Sequence, residues 1–528
     1  MDSKILESGD FIFRPRSWPV QIQIIFVVFM IYRVYSCLTR NRPYVGIPIA
    51  QIEQKGIHFL IQLFLPGLSW MISPQEVLAK GKAISKTTDG IYQLRASGGY
   101  KIVLPRRYAE EIRNNEYMTF GGSCKKDFHS TQPGFEAMLE GLREDRLVID
   151  AVHKLVQNLG VILPSMIDEA NFSITKWFGD KEDEWRTFKL NDAAVDIVAR
   201  IVTRATIGID FARNEEWIRI SRDHAVSTFI SSVILHQVPA LLRPVLVWII
   251  PECRKLRKQV ADSKRLLAPK VRAIEEGLRD GRKRPATANV FTWLMDVAKG
   301  RHINFVLAQM SISEASIHST SEMLTRMIIQ CCKTPELVND LREEIARVLE
   351  EEGGWSKAAP YKMKLLDSFM REISRHQPMG IAGMLRDVRR DVKLSNGVVL
   401  PAGGLVMVED DGVVDPDVNP HPETFDARRY LHLRQQPNGE ARHQFVTTSP
   451  DNLLFGLGNN QCPGRQFASN EIKIMFSFML LRYDWRFPPG FVLPSPVYFE
   501  SRVAAPITMV QCRRRQEAKD LLKVKIAA

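Results

Sequence analysis

One cysteine, Cys462, stands in a glycine-punctuated loop, Phe455-Gly456-Leu457-Gly458-Asn459-Asn460-Gln461-Cys462-Pro463-Gly464-Arg465, just ahead of a long apolar run. A thiolate in such a loop is suited to ligate haem iron, where sulfur donation favours O–O cleavage, provided that solvent is kept away. Gly458 and Gly464 permit tight turns, so peptide N–H groups can point at the sulfur and tune its donor strength. Phe455 is placed to pack beside it. Zinc or an iron–sulfur cluster would need several cysteines or histidines at short spacing, and Cys462 has no such neighbours. The competing role for a lone cysteine is a small buried hydrophobe.

The elements that must position this loop are helical. Arg465 to Leu481 is apolar at helical spacing, with Phe467, Ile472, Met475, Phe476 and Met479 on the inner side. Between Gly300 and Pro335 there is neither glycine nor proline, which predicts one helix of about 50 Å at ~1.5 Å per residue. Phe305, Ala308, Ile312, Ala315 and Ser319 define one of its faces. Thr334-Pro335-Glu336 predicts a helix start with a capping hydroxyl, and the helix runs from Leu337 to Glu351. A further helix from Leu365 to about His376 carries Glu372 and Arg375 three apart on one face, a spacing that usually marks a weak surface ion pair.

Phe455, Gly458, Cys462 and Gly464 match the pattern Phe-x-x-Gly-x-x-x-Cys-x-Gly, and through it the chain resembles the cytochrome P450 family. That resemblance implies a mainly α fold with small β-sheets, a single large domain behind an N-terminal membrane anchor. It implies haem b as cofactor, with Cys462 as axial iron ligand, and Phe455, Gly458, Gly464 and Arg465 around it. Arg386 stands where the family often holds a haem propionate. Glu372 and Arg375, with Arg429 from Phe425-Asp426-Ala427-Arg428-Arg429-Tyr430, would form a buried structural triad. Ala315-Ser316-Ile317-His318-Ser319-Thr320 aligns with the groove of the family's central helix, where an acid and a threonine serve proton delivery. Here His318 and Ser319 stand in their places as the expected catalytic relay, since a hydroxyl both donates and accepts and a histidine titrates near neutrality. Ile312, Ala315, Ser316, Met379, Ile381 and Met384 are the expected substrate pocket. Two propionate contacts are missing: Asn460 is neutral, and no Trp-x-x-x-Arg pattern stands in the first half, leaving His153 or Lys154 as replacements.

The 528 residues contain no repeat or low-complexity linker, so residues 1–48 read as anchor and proline hinge and 49–528 as one domain. A hydrophobic share of 45% is too low for a polytopic membrane protein. The anchor candidate is Trp18 to Leu38, close to the ~20 apolar residues a bilayer crossing needs, followed by Pro43 and Pro48. Seven cysteines, an odd number, favour a reducing compartment. Net charge +12 comes without any nucleic-acid motif. Val233 to Pro251 is strongly apolar and is read either as a monotopic membrane patch at a substrate entrance or as core packing.

Phe445 to Asp451 and Asn470 to Ile474 look like filamentous-fungal members that oxidise terpenoids, gibberellin precursors and indole diterpenes. The implied function is an endoplasmic-reticulum monooxygenase, a monomer with a cytosolic catalytic domain, oxidising an apolar polycyclic intermediate of secondary metabolism. It would use O2 and electrons from NADPH through NADPH-cytochrome P450 reductase, with cytochrome b5 as an optional second donor. The alternatives are a haem-thiolate enzyme of desaturation, rearrangement or ring formation, and a non-catalytic haem-binding protein.

Overall fold

The structure is a computed structural model that describes residues 42–50, 67–182, 184–279, 289–380, 382–410, 416, 418–498 and 502–516, with Gln23 and Val27. The expected anchor from Trp18 to Leu38 lies, but for those two residues, outside the described residues. Among the described residues no single helix is long and apolar enough to cross a membrane.

Ten helices carry the frame: α1 (Phe120–Asp127), α2 (Leu147–Gln157), α3 (Leu159–Phe178), α4 (Leu190–Thr206), α5 (Glu215–Gln237), α6 (Pro251–Arg279), α7 (Phe305–Lys333), α8 (Pro335–Glu351), α9 (Lys364–His376) and α10 (Arg465–Arg482). The chain is mostly helical with small sheets, as expected. Helix α7 spans 29 residues, about 44 Å at 1.5 Å per residue. It starts at Asn304, whose side chain accepts from the Leu307 N–H, and it packs against α4, α5, α9 and α10. Its burial is nearly continuous from Phe305 to Cys331 except between Ser311 and Ser319, where Ala315 and Ser319 are exposed. There the helix leaves the core to line a space.

One start signal differs. Thr334 Oγ1 does not cap α8 but donates to Gln330 O at 2.8 Å, because α7 ends one residue earlier and its last carbonyls take the hydroxyl. Helix α10 buries Phe467, Ile472, Met475, Phe476 and Met479 in the same large core as α3, α4, α7 and α9.

The first nine strands in chain order are β1 (Ile49–Ala50), β2 (Tyr92–Ala96), β3 (Gly99–Leu104), β4 (Met118–Thr119), β5 (Arg186–Lys189), β6 (Ala382–Val388), β7 (Val392–Lys393), β8 (Val399–Leu400) and β9 (Leu405–Glu409), and four more follow α10: β10 (Tyr483–Arg486), β11 (Val497–Tyr498), β12 (Arg502–Val503) and β13 (Met509–Arg514). Six of them form a mixed sheet in the order β1-β2-β3-β9-β6-β4. Strands β7 and β8 form a short hairpin whose turn carries Asn396-Gly397, with Gly397 at φ 88°. Between Gly383 and Arg386 the β6–β9 register shifts, and Met384 takes φ 50°. That irregularity decides which β6 side chains face the site.

Candidate functional site

The loop before α10 is built to present a sulfur. Cys462 N–H donates to Phe455 O at 2.7 Å and closes the loop on itself. Gly456 and Gly458 sit at φ 71° and 72°, in the left-handed region. A Cβ on Gly458 would also lie 2.8 Å from the Arg113 carbonyl oxygen, so no side chain fits there. Gly464 differs from the sequence expectation: it caps α10 at φ −91°, an ordinary conformation, and the second left-handed glycine is Gly456. Burial pushes the Cys462 thiol up, while the peptide N–H groups of Gly464 and Arg465 and the Arg465 charge pull it back down. The sulfur therefore sits at the positive end of an 18-residue helix, and it is the thiolate that gains from that placement. Arg465 Nη1 donates to Cys462 O at 3.0 Å, and Phe455 packs edge-on to Phe445 with ring centroids 5.3 Å apart.

Arg386 on β6 is 2% exposed. Its Nη1 donates to Leu385 O at 2.9 Å, while Nε and Nη2 have no partner. Burial lowers its pKa from 12.5 to about 10. A buried guanidinium with two open donors calls for an anion. A sulfur supported by peptide N–H groups and an open buried cation are a donor set that fits haem, which Cys462 would hold at the iron and Arg386 at a propionate.

A cavity of ≈ 370 Å³ is lined by His318 and Ser319 of α7, by Met379, Gly380 and Gly383, and by Leu453 and Leu454 next to the sulfur loop. Ser319 Oγ donates to Ala315 O at 3.2 Å, and Ser316 Oγ to Ile312 O at 2.7 Å. His318 is turned toward α5, with Nε2 2.9 Å from Arg222 O. The expected pair therefore shares the cavity wall while each member is tied elsewhere. Ala315 is exposed, Ile312 is buried in the main core, and Ile381 lies outside the described residues. Met384 is a correction: at the irregular register of β6 it is buried in the small core under the sheet with Val388, Leu453 and Leu457, and of these only Leu453 also lines the cavity.

The Glu372–Arg375 spacing, ordinarily a surface pair, is fully inside. Arg375 Nε and Nη2 meet the two Glu372 oxygens at 2.8 and 2.7 Å, and Arg429 Nε is 3.2 Å from both. The remaining guanidinium donors reach the carbonyls of Pro420, His421, Pro422 and Thr424. A second triad escaped sequence reasoning. Asp367 of α9 accepts from Lys473 Nζ at 2.7 Å, Arg434 Nη1 at 3.0 Å and Phe445 N–H at 2.9 Å, all buried. Its only signal was a charged residue at core positions of α9 and α10.

His153 lines a different, polar cavity of ≈ 480 Å³ with Arg113, Arg146, Gly458, Asn459 and Gln461. The Val233–Pro251 segment divides between the two readings: Leu235 and Val247 are buried in a small core with Phe135, Cys253 and Leu256, whereas Leu241 is 85% exposed and Trp248 57%, with Leu242, Val245 and Ile249 exposed beside them.

The family model described as Cytochrome P450 matches residues 123–506. "Cytochrome P450 monooxygenase bsc11" of Alternaria brassicicola is 38% identical over 438 residues, covering 81% of this chain and 84% of that protein. "Dihydromonacolin L monooxygenase LovA" of Aspergillus terreus is 36% identical over 424 residues, covering 79% and 80%. Among solved structures, retinoic-acid-bound cyanobacterial CYP120A1 superposes with a TM-score of 0.63 at 16% identity, over 85% of this chain and 97% of that one, a likeness of fold.

Proposed function

Because the chain belongs to the cytochrome P450 family and is a haem-dependent monooxygenase that uses O2, we propose that it oxidises an apolar polycyclic intermediate of fungal secondary metabolism. Bound haem supplies the oxidising chemistry. The residues of the chain hold, shield and feed that group. Cys462 Sγ would ligate the iron, and the N–H groups of Gly464 and Arg465 would favour its thiolate against the burial that raises the thiol's pKa. Arg386 would hold a propionate through Nε and Nη2, the two donors that have no partner inside the chain. That pairing of supported sulfur and open buried cation is the observation that carries the proposal.

Ser319 presents a hydroxyl on the cavity wall, and to hand a proton inward it exchanges its bond to Ala315 O for one in the cavity. Met379, Leu453 and Leu454 supply apolar wall, and Gly380 and Gly383 leave room for a bulky ring system. The name of one relative, a dihydromonacolin L monooxygenase, supports a small apolar substrate of secondary metabolism. Electrons come from NADPH through a flavoprotein reductase on the basic face where Arg113 and Arg146 flank Gly458 and Asn459. The exposed run Leu241 to Ile249 supports attachment to the cytosolic face of the endoplasmic reticulum. The test is spectroscopic: reduced protein with carbon monoxide should show the red-shifted Soret band of thiolate ligation, and Cys462→Ala should lose it. The same band in that variant would refute the assignment.

A further inference from the structure

Two segments far apart in the chain, Met379 with Gly380 after α9 and Arg502 with Val503 on β12, line the cavity that Ser319 borders. The Arg502 N–H donates to Met379 O at 2.8 Å and joins them. One ion pair fastens both to α7. Arg326 Nε lies 2.6 Å from Glu322 Oε1, one turn earlier on the same helix. The rest of the Arg326 guanidinium donates to Gln377 O through Nη1 and to Arg502 O through Nη2. Glu322 Oε1 takes a second bond, from the Ala504 N–H at 2.8 Å. Arg326 is 3% exposed and Glu322 7%, so this is a buried pair whose geometry is fixed from several sides.

Only one carboxylate oxygen of Glu322 is used in that frame. Oε2 has no hydrogen-bond partner among the described residues, and Glu322 lines the cavity. A carboxylate in an ion pair accepts and cannot donate, and an oxygen of it shielded from bulk water without a donor is unfavourable. The neighbouring wall does not supply the donor. Ser319 Oγ donates to Ala315 O, Ser374 Oγ donates to Arg371 O at 2.7 Å, and His318 keeps Nε2 on Arg222 O. Arg375 is spent on Glu372, and the ion-pair partner of Glu322 among the described residues is Arg326. The same cavity takes apolar surface from Met379, Leu453, Leu454 and Val503. A ligand that satisfies both features is an apolar body carrying one donor. An amine would bring its charge to a wall that already holds Arg371, Arg375 and Arg502, whereas a hydroxyl brings none.

We propose that Glu322 is a specificity-determining residue of the monooxygenase: Oε2 accepts a hydrogen bond from an alcohol hydroxyl of the substrate, while Oε1 and Arg326 hold the wall on which the ring system lies. The assignment rests on the monooxygenase reading above and names the chemistry of its substrate, a polycyclic alcohol in place of a bare hydrocarbon. Glu322 stands three residues after Ser319, about 4.5 Å further along α7 and about 60° round it, so the anchored hydroxyl and the Ser319 hydroxyl share one side of the cavity. The reaction that supplies this substrate is then one that installs or unmasks a hydroxyl.

The test is equilibrium dialysis of the haem-loaded enzyme against matched alcohols and ketones of increasing size, decalol with decalone and androstanol with androstanone. A ketone accepts but cannot donate. The wild type should hold the alcohol of at least one pair about tenfold more tightly than its ketone. Glu322→Gln keeps an oxygen for Arg326 and the Ala504 N–H and turns an amide N–H towards the cavity, so the ketone should gain and the preference should vanish or reverse. A second measurement needs no variant: the alcohol, and not the ketone, should shift the carboxylate stretch in the infrared difference spectrum of the wild type, and this comparison decides if Glu322→Gln does not fold. The carbon monoxide spectrum is recorded on the same samples. Absence of the thiolate band in the wild type would count against the monooxygenase reading, whereas the alcohol preference is read by dialysis and stands or falls without it. No alcohol preference in any pair, absence of binding included, a preference unchanged in Glu322→Gln, or no alcohol-specific carboxylate shift would overturn the role of Glu322.

Discussion

Replacing Arg386 with methionine should push the haem-free and haem-loaded forms in opposite directions. In the chain alone this guanidinium is buried with two donors unpartnered, and its pKa falls from 12.5 to about 10. At ~1.4 kcal/mol per tenfold change in acidity, that drop corresponds to about 3 kcal/mol. The folded chain binds this proton less tightly than the unfolded one. The cost is therefore carried in full below about 10 and disappears only above 12.5, so at neutral pH it is all present. Arg386→Met removes it and loses the bond to Leu385 O, worth about 1 kcal/mol, so the haem-free form should gain about 2 kcal/mol. With haem bound, the variant loses a charge-assisted bond of about 1.5–3 kcal/mol. The stabilisation that haem confers should thus shrink by about 4 kcal/mol, roughly a thousandfold in affinity. Denaturant midpoints of both forms, with the rate of haem transfer to a scavenger protein, measure the two terms separately. A haem-free variant no more stable than wild type, holding haem equally well, would show that Arg386 is only a strut of the sheet.

The Glu372 triad should behave in the opposite sense: Glu372→Ala strands two buried guanidinium groups and should cost about 3–5 kcal/mol, a large part of a typical ~5–15 kcal/mol, so little haem-loaded protein should accumulate. Normal thermal unfolding of that variant would refute it. In a chain shortened to begin at Arg42, the double change Leu241→Asp, Trp248→Asp should abolish sedimentation with phospholipid vesicles and leave the thiolate spectrum intact; equal binding would exclude this patch as the membrane contact.

Helices α7 to α10 were legible because each is a long periodic run bounded by glycine or proline, and the cysteine loop because its spacing is local. What escaped was set by contacts that no local pattern carries. The Thr334 hydroxyl was expected to cap the following helix, but the preceding one ends next to it with carbonyls to satisfy. Met384 was expected on the cavity wall, but the register shift in β6 breaks the two-residue period on which that placement relied. Asp367 and Lys473 lie 106 residues apart in sequence and meet inside the core. The two triads have the same chemistry, but only the one with an i,i+3 component showed a pair in the sequence, the other showing isolated charges at core positions.

The buried charges divide by whether their hydrogen bonds close within the chain. Glu372 and Asp367 are each saturated by cations and a peptide N–H, and a site saturated in this way has nothing left to offer a ligand. Arg386 is open: two of its donors have no partner, and an anionic ligand would close them. Openness alone is not sufficient. Glu471 of α10 is buried with both oxygens unpartnered, but burial drives its pKa far up, which favours the uncharged acid and leaves no charge for a ligand to answer. A functional assignment therefore needs an open group that keeps its charge. On that criterion, substitutions at the saturated sites should cost folding, whereas Arg386→Met should cost haem retention in a chain that still folds.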